Sequence, residues 1–266
     1  MDPIKLFIGV GAGALLIGGT TYVVYISVNV MPECDVLSSI SGFGTTDKYE
    51  NGKYGYSYGD YLVDPNKLTE SKNKDWWEWS YKSLKSHKPD TLSAKFRAVE
   101  VAYQAEDSSP EKALNKVCDA AFKSDKVNVV KTISEPAIDK YKEEDVWKFC
   151  SISPNRQKPV SLSDSKDNSE KSLVTDSSKE TWGKQHKDGL ISVDTLSNQW
   201  FWDLKERKFK DEQDEANSQN VFKNRKKNNK TVKETCSDAY RESFTEKTKV
   251  TETDLKKYCF LEKQSS

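Results

Sequence analysis

Glu144-Asp145-Val146-Trp147-Lys148-Phe149-Cys150 closes the first half of the chain, and Thr253-Asp254-Leu255-Lys256-Lys257-Tyr258-Cys259 closes the second. An aspartate, an aliphatic residue, a lysine, an aromatic ring and a cysteine recur in one order. Upstream, Cys118-Asp119-Ala120-Ala121-Phe122 is answered by Cys236-Ser237-Asp238-Ala239-Tyr240, and Trp77-Glu78-Trp79 by Trp200-Phe201-Trp202. Three landmarks in the same order, at offsets of 123, 118 and 109 residues, read as an internal duplication. The expected modules span 76–152 and 192–262.

Both modules read as helical. Leu92, Phe96, Val99 and Tyr103 are spaced four, three and four apart, an amphipathic stripe. Ser109-Pro110-Glu111 starts a helix whose Leu114, Val117, Cys118 and Ala121 share a face. In the second module Leu196, Trp200 and Leu204 share a face, as do Val232, Cys236, Ala239 and Tyr240. Thr253 is expected to cap the last short helix, and Pro89 and Pro136 fall where breaks are wanted.

The rest of the polar chain looks like connection. Residues 32–75 read as a stalk in which Asn51-Gly52 turns a short hairpin, setting Tyr49 across from Tyr54. Residues 153–191 read as a flexible linker: 151–188 hold nine Ser and thirteen charged residues against six apolar ones. Such a composition does not repay the entropy of ordering. Residues 263–266 are a tail. Past residue 31, Leu, Ile, Val and Phe number 42 of 235, so small cores are expected, with 26 aromatic rings supplying buried area.

The N-terminal end differs in kind. Leu6 to Val30 is 25 residues without a charge, LFIGVGAGALLIGGTTYVVYISVNV. As a helix it would be ~37 Å long, enough to cross a ~30 Å hydrocarbon core. A cleaved secretory signal fits less well, because the run is too long and ends in Asn29-Val30-Met31-Pro32-Glu33 without small residues at a cleavage site. Residues 6–31 are therefore expected to be a transmembrane helix partnered by the lipid bilayer. Lys5 before it and Glu33 and Asp35 after it place residues 1–5 in the cytoplasm and residues 32–266 outside the cell. Gly9, Gly13, Ala14 and Gly18 form a small-residue face for self-association with another membrane helix.

The five cysteines are Cys34, Cys118, Cys150, Cys236 and Cys259. The duplication groups Cys118 with Cys150 and Cys236 with Cys259, as disulfides if the chain is exported or as buried free thiols if it is not. Cys34 is left over, either joining two chains or staying unpaired.

The sequence carries no catalytic constellation. The two histidines, His87 and His186, are 99 residues apart, and no metal, phosphate-cradling or nucleophile motif occurs. The expectation is no catalytic residue, no metal, no cofactor and no enzyme. The 42 basic and 42 acidic residues cancel, which argues against a nucleic-acid partner. The basic run Lys223–Lys230 follows Asp211, Glu212, Asp214 and Glu215 and reads as a solvated loop. The Trp clusters read as core in preference to a sugar or lipid platform.

With these landmarks the chain resembles the paralogous membrane-anchored surface proteins of haemotropic mycoplasmas. The likeness lies in Met1-Asp2-Pro3 leading into a Gly-rich span, in the Cys118 and Cys236 helices, and in the closing Trp147-Lys148-Phe149-Cys150 and Lys257-Tyr258-Cys259. The resemblance implies display to host-surface molecules or antibodies, antigenic variation, and no enzymatic role; it supplies no functional residues. The expected whole is mostly α: one transmembrane helix plus two small related helical modules joined by a disordered linker. The alternatives are an envelope assembly component acting through its membrane helix, and an ectoenzyme, for which no residue argues.

Overall fold

The computed structural model describes residues 30–46, 48–65, 72–104, 112–132, 140–216 and 218–263. The chain divides into two compact units, Met1–Arg156 and Gln157–Ser266. The described residues are mostly helical. None of their helices is long and apolar enough to cross a membrane. The expected span and its Gly9, Gly13, Ala14 and Gly18 lie outside the described residues, as do Ser109-Pro110-Glu111 and Pro136; Val30 and Met31, at the span's end, are described and non-helical.

Unit 1 contains α1 (Tyr54–Tyr58), α2 (Lys72–Ser86), α3 (Ala94–Arg97), α4 (Leu114–Lys123) and α5 (Glu143–Cys150). A two-residue parallel ladder joins β1 (Val129–Val130) to β2 (Tyr141–Lys142). In α4, Leu114, Val117, Cys118, Ala121 and Phe122 fall on one buried face, as the helical period requires. Helix α5 begins with Glu143, Glu144 and Asp145, whose charges suit the positive end of its dipole, and turns Val146, Trp147, Phe149 and Cys150 inward. Helix α2 buries Trp76 and Trp77 edge to face, with ring centroids 4.9 Å apart. Each buried indole removes ~200 Å² from water, worth about 5 kcal/mol as an upper value.

Unit 2 contains α6 (Asn168–Thr175), α7 (Trp182–Gln185), α8 (Gln199–Phe209), α9 (Val232–Arg241) and α10 (Glu252–Tyr258). Side chains cap most of them: Asp167 accepts from Ser169 and Glu170 N–H, Thr181 from Lys184 N–H, and Thr231 forms a reciprocal capping box with Glu234.

The two units are built from the same contacts, and the match starts far upstream of the sequence landmarks. Leu37 N–H donates to Leu62 O at 2.9 Å, as Leu162 N–H does to Leu190 O at 2.8 Å. Val63 N–H donates to Cys150 O at 3.0 Å, and Ile191 N–H to Cys259 O at 3.1 Å. The antiparallel bridges Val36–Val63, Leu62–Ser151 and Lys53–Asp125 have the counterparts Ser161–Ile191, Leu190–Phe260 and Thr181–Ser243. A Cβ on Gly55 would stand 2.9 Å from the Phe122 Cβ, and one on Gly183 would stand 2.8 Å from the Tyr240 carbonyl oxygen. Glycine lets α1 touch α4 in unit 1 and α7 touch α9 in unit 2.

Several expectations are corrected by this equivalence. The stalk is no stalk: Leu37, Tyr54, Tyr58, Leu62 and Val63 are buried in unit 1. Asn51-Gly52 does turn the chain, with Gly52 at φ 97°, but Tyr54 to Tyr58 continue as helix α1 and not as a hairpin strand. The flexible linker is the matching part of unit 2. It carries α6 and α7 and buries Leu162, Trp182, Leu190 and Ile191. Its serines and charges face out or are consumed internally; buried Glu170 accepts from Val193 N–H at 2.7 Å and from the Ser192 hydroxyl.

Three local expectations also change. Leu92, Phe96 and Val99 are buried, yet the helix there is the single turn Ala94–Arg97, because Pro89 opens a separate 3₁₀ turn. In α8 the inward face is Phe201, Trp202, Lys205 and Phe209; Leu196 is 87% exposed, and Trp200 and Leu204 are half-buried. The cap of α10 is Thr251, whose extended backbone lets its hydroxyl accept from Asp254 N–H; Thr253 is inside the helix.

Candidate functional site

The two cysteine pairs fall at the same place in the two units. Cys118 on α4 is bridged to Cys150 at the end of α5, with Cα atoms 5.8 Å apart. Cys236 on α9 is bridged to Cys259 just after α10, at 5.9 Å. All four are fully buried. Each bridge ties the long helix to the closing helix and contributes about 3–4 kcal/mol on the loop-entropy model. Cys34 is unpaired and half-buried, and burial followed by the neighbouring Asp35 pushes its thiol well above the usual range.

Around each bridge sits a second repeated device that the sequence reading missed. Asn73 accepts from Asp35 N–H at 2.8 Å and donates to the carbonyls of Asp35 at 3.1 Å and Asp64 at 2.9 Å. Asn198 accepts from Val160 N–H at 2.8 Å and donates to the carbonyls of Val160 and Ser192, both at 2.9 Å. Seven residues further along each helix, Ser80 and Lys205 donate to a carbonyl of the closing helix, Phe149 O at 2.8 Å and Lys257 O at 3.1 Å. The asparagines pin the first strand-like segment to the rest of its unit. The sequence signal was present as Asn-x-x-aromatic-Trp, in Asn73 to Trp77 and Asn198 to Trp202.

The units part company in their loops. In unit 2 a cleft of about 290 Å³ lies between the 212–226 loop and α10, lined by Glu212, Asp214, Lys223, Arg225, Asp254 and Tyr258, among others. Phe222 stacks on Tyr258 at 4.8 Å with the rings 5° from parallel. The charges at the cleft satisfy one another. Lys257 pairs with Glu212 at 2.6 Å, Lys223 with Glu215 at 2.6 Å, and Asp254 accepts from Asn220 and Thr251. Tyr258 donates to Glu212 at 2.7 Å, and burial is the main reason its phenol titrates above the usual range.

The basic run is largely exposed, as expected of a solvated loop, with Arg225 as the buried exception. Arg225 is 4% exposed, pairs with Glu206 at 2.8 Å and donates to Phe209 O. Asp214 accepts from the Lys226 and Lys227 backbone N–H groups, and Lys230 pairs with Asp238. Lys223, Arg225 and Lys230 each have an acidic partner, so much of the run's charge is answered locally.

His87 packs edge-on against Phe149 in unit 1, its Nδ1 2.8 Å from Ser83 O. His186 belongs to unit 2, where it stacks on Trp182 at 5.7 Å. Trp76, Trp77, Phe201 and Trp202 are core residues; Trp79 is half-buried under the Arg156 guanidinium at 4.1 Å. Burial lowers that guanidinium to about 10. Among the described residues no group of three or more His, Cys, Asp or Glu is placed to hold a metal ion.

No family model, curated protein or solved structure matches this chain. By architecture it is a tandem repeat of a small, disulfide-closed, mostly helical fold.

Proposed function

We propose that the chain is a membrane-tethered, non-enzymatic interaction protein that displays its two repeats outside the cell. The observation that carries this reading is one buried disulfide per repeat. Such bridges form and persist in oxidising surroundings and are rare in a reducing cytosol. The 25-residue uncharged run ahead of the repeats supplies the tether. Duplication of a fold with divergent loops suits binding, because the shared framework holds each unit while the loops vary. The likeness to surface proteins of haemotropic mycoplasmas belongs to the same reading, with host molecules or antibodies as partners.

Protease added to whole cells tests it. Residues 32–266 should be cut from intact cells while a cytosolic marker stays whole. Alkylation without reductant should label Cys34 alone. Protection of the repeats until the cells are lysed, or labelling of all five cysteines, would overturn the reading.

A further inference from the structure

We propose that unit 1 sits directly on the bilayer that holds the chain, with the face around Glu33 toward the lipid headgroups. The proposal rests on the membrane tether described above and adds where the first repeat stands relative to it.

The argument is one of chain length. The uncharged run ends at Val30, and the fold of unit 1 begins at Asp35. Five residue steps reach at most ~18 Å. A flexible stalk would let the unit drift far from its anchor, but Leu37, Tyr54, Tyr58, Leu62 and Val63 of the expected stalk are inside the fold.

The grip at Asp35 leaves no slack to add. Its N–H and carbonyl are both held by the Asn73 amide, and the same carbonyl accepts from Asp64 N–H at 3.0 Å. Val36 bridges Val63, and Leu37 is fully buried with its N–H on Leu62 O. Part-buried hydrogen bonds of this kind cost about 1 kcal/mol each to break, and pulling out buried Leu37 costs more, so the first residues do not peel away to lengthen the tether.

The tether's own composition suits the interface. Val30 is 56% exposed, and Met31 and Pro32 follow it without a charge. The first charged residues, Glu33 and Asp35, are acidic, and no basic residue occurs from Val30 to Thr46. Proximity is therefore imposed by the covalent link and not by attraction to anionic lipid, so a zwitterionic surface suffices.

The full chain, carrying Cys34→Ser and a donor dye on Ser39→Cys, would be reconstituted in phosphatidylcholine vesicles with a headgroup-labelled acceptor. A second version carries a Gly-Ser insertion of about 40 residues between Pro32 and Glu33, adding ~35 Å of root-mean-square reach. The insertion lies ahead of the fold and leaves the unit intact. Energy transfer should be at least two-fold higher in the chain of native length. Equal transfer in the two versions overturns the proposal while leaving the tether standing, provided both float with the vesicles. Failure of the native-length chain to float defeats the tether and the proposal together.

Discussion

Trp77 and Trp202 make the same hydrogen bond: each indole N–H donates to a backbone carbonyl at 3.2 Å, Asp64 O in unit 1 and Ser192 O in unit 2. Four residues earlier the paired asparagines reach the same two carbonyls. Trp202→Phe keeps most of the ring but removes the donor, while Asn198 still satisfies Ser192 O. The expected cost is about 1–3 kcal/mol. Asn198→Ala strands the Val160 N–H, leaving the Val160 carbonyl on Ser192 N–H alone, and empties the space of a fully buried side chain, so it should cost more. Urea midpoints of the two variants check the order; an Asn198→Ala protein as stable as wild type would show that the clamp carries no weight.

The duplication was legible in the sequence because cysteines and tryptophans are few and large. Its register was not. Matching Trp77-Glu-Trp79 to Trp200-Phe-Trp202 gives an offset of 123, whereas the shared hydrogen bonds pair Trp77 with Trp202, an offset of 125. The edge-to-face pair Phe201–Trp202, at 4.8 Å, then corresponds to Trp76–Trp77. The first third of each repeat was missed because its buried apolar residues stand singly or in pairs among serines and charges, with no sustained helical or strand period, and backbone bridges leave no mark on composition. A signal did exist: Tyr54-Gly55 with Asp60, Leu62 and Val63 matches Trp182-Gly183 with Asp188, Leu190 and Ile191 at one constant spacing. The outward turn of Leu196 was hidden because helical periodicity fixes which residues share a face, not which face is covered.

Gly183 is a second point where a small change should be costly. Its missing Cβ leaves room for the Tyr240 carbonyl at 2.8 Å and the Tyr240 Cβ at 3.1 Å. The close neighbours include backbone, so Gly183→Ala must push α7 away from α9. Overpacking of this kind costs about 1–3 kcal/mol. Gly52 offers the control: nothing stands within 4 Å of its would-be Cβ, and its φ of 97° is what penalises substitution. Thermal melts of G183A and G52A should both fall; Gly52→Asn, which tolerates positive φ, should recover much of the loss, and Gly183→Asn should recover none.

Acid should weaken unit 1 through Glu144. Hydrogen bonds from Lys142 and Lys148, at 2.7 and 3.0 Å, draw its carboxyl from the ordinary 4.5 down to about 2. A lowered folded-state value means the contribution is fully present above pH 4.5 and is lost as pH falls toward 2. The Glu144 side chain is 51% exposed, so screening holds the effect to roughly 0.5–1 kcal/mol. Glu144→Gln should destabilise the protein by that amount at neutral pH and by almost nothing near pH 2. A difference that stays constant across the range would mean the lost stability comes from packing and not from the charge.

The boundary between the repeats gives the sharpest test, because composition and structure place it differently. Composition starts the second module at residue 192, after a supposed linker; the structure starts unit 2 at Gln157. A fragment of 192–266 keeps the disulfide, all of α8 to α10 and both clamp side chains, Asn198 and Trp202. It lacks Leu162, Trp182, Leu190 and Ile191 from the core, the Val160 partner of Asn198, and the Ile191 carbonyl that takes the buried Tyr240 hydroxyl at 2.8 Å. Losing four large apolar side chains at ~2 kcal/mol each removes about 8 kcal/mol, which is comparable to the whole stability of a domain this size. Residues 157–266 should therefore fold alone, showing a cooperative melt and resistance to protease, and 192–266 should not. Added in trans, a 157–191 peptide is expected to restore structure weakly at best, because the join no longer holds Leu190 beside its partner Phe260. A cooperative melt from 192–266 by itself would show that the segment is a linker after all, whatever its side chains touch.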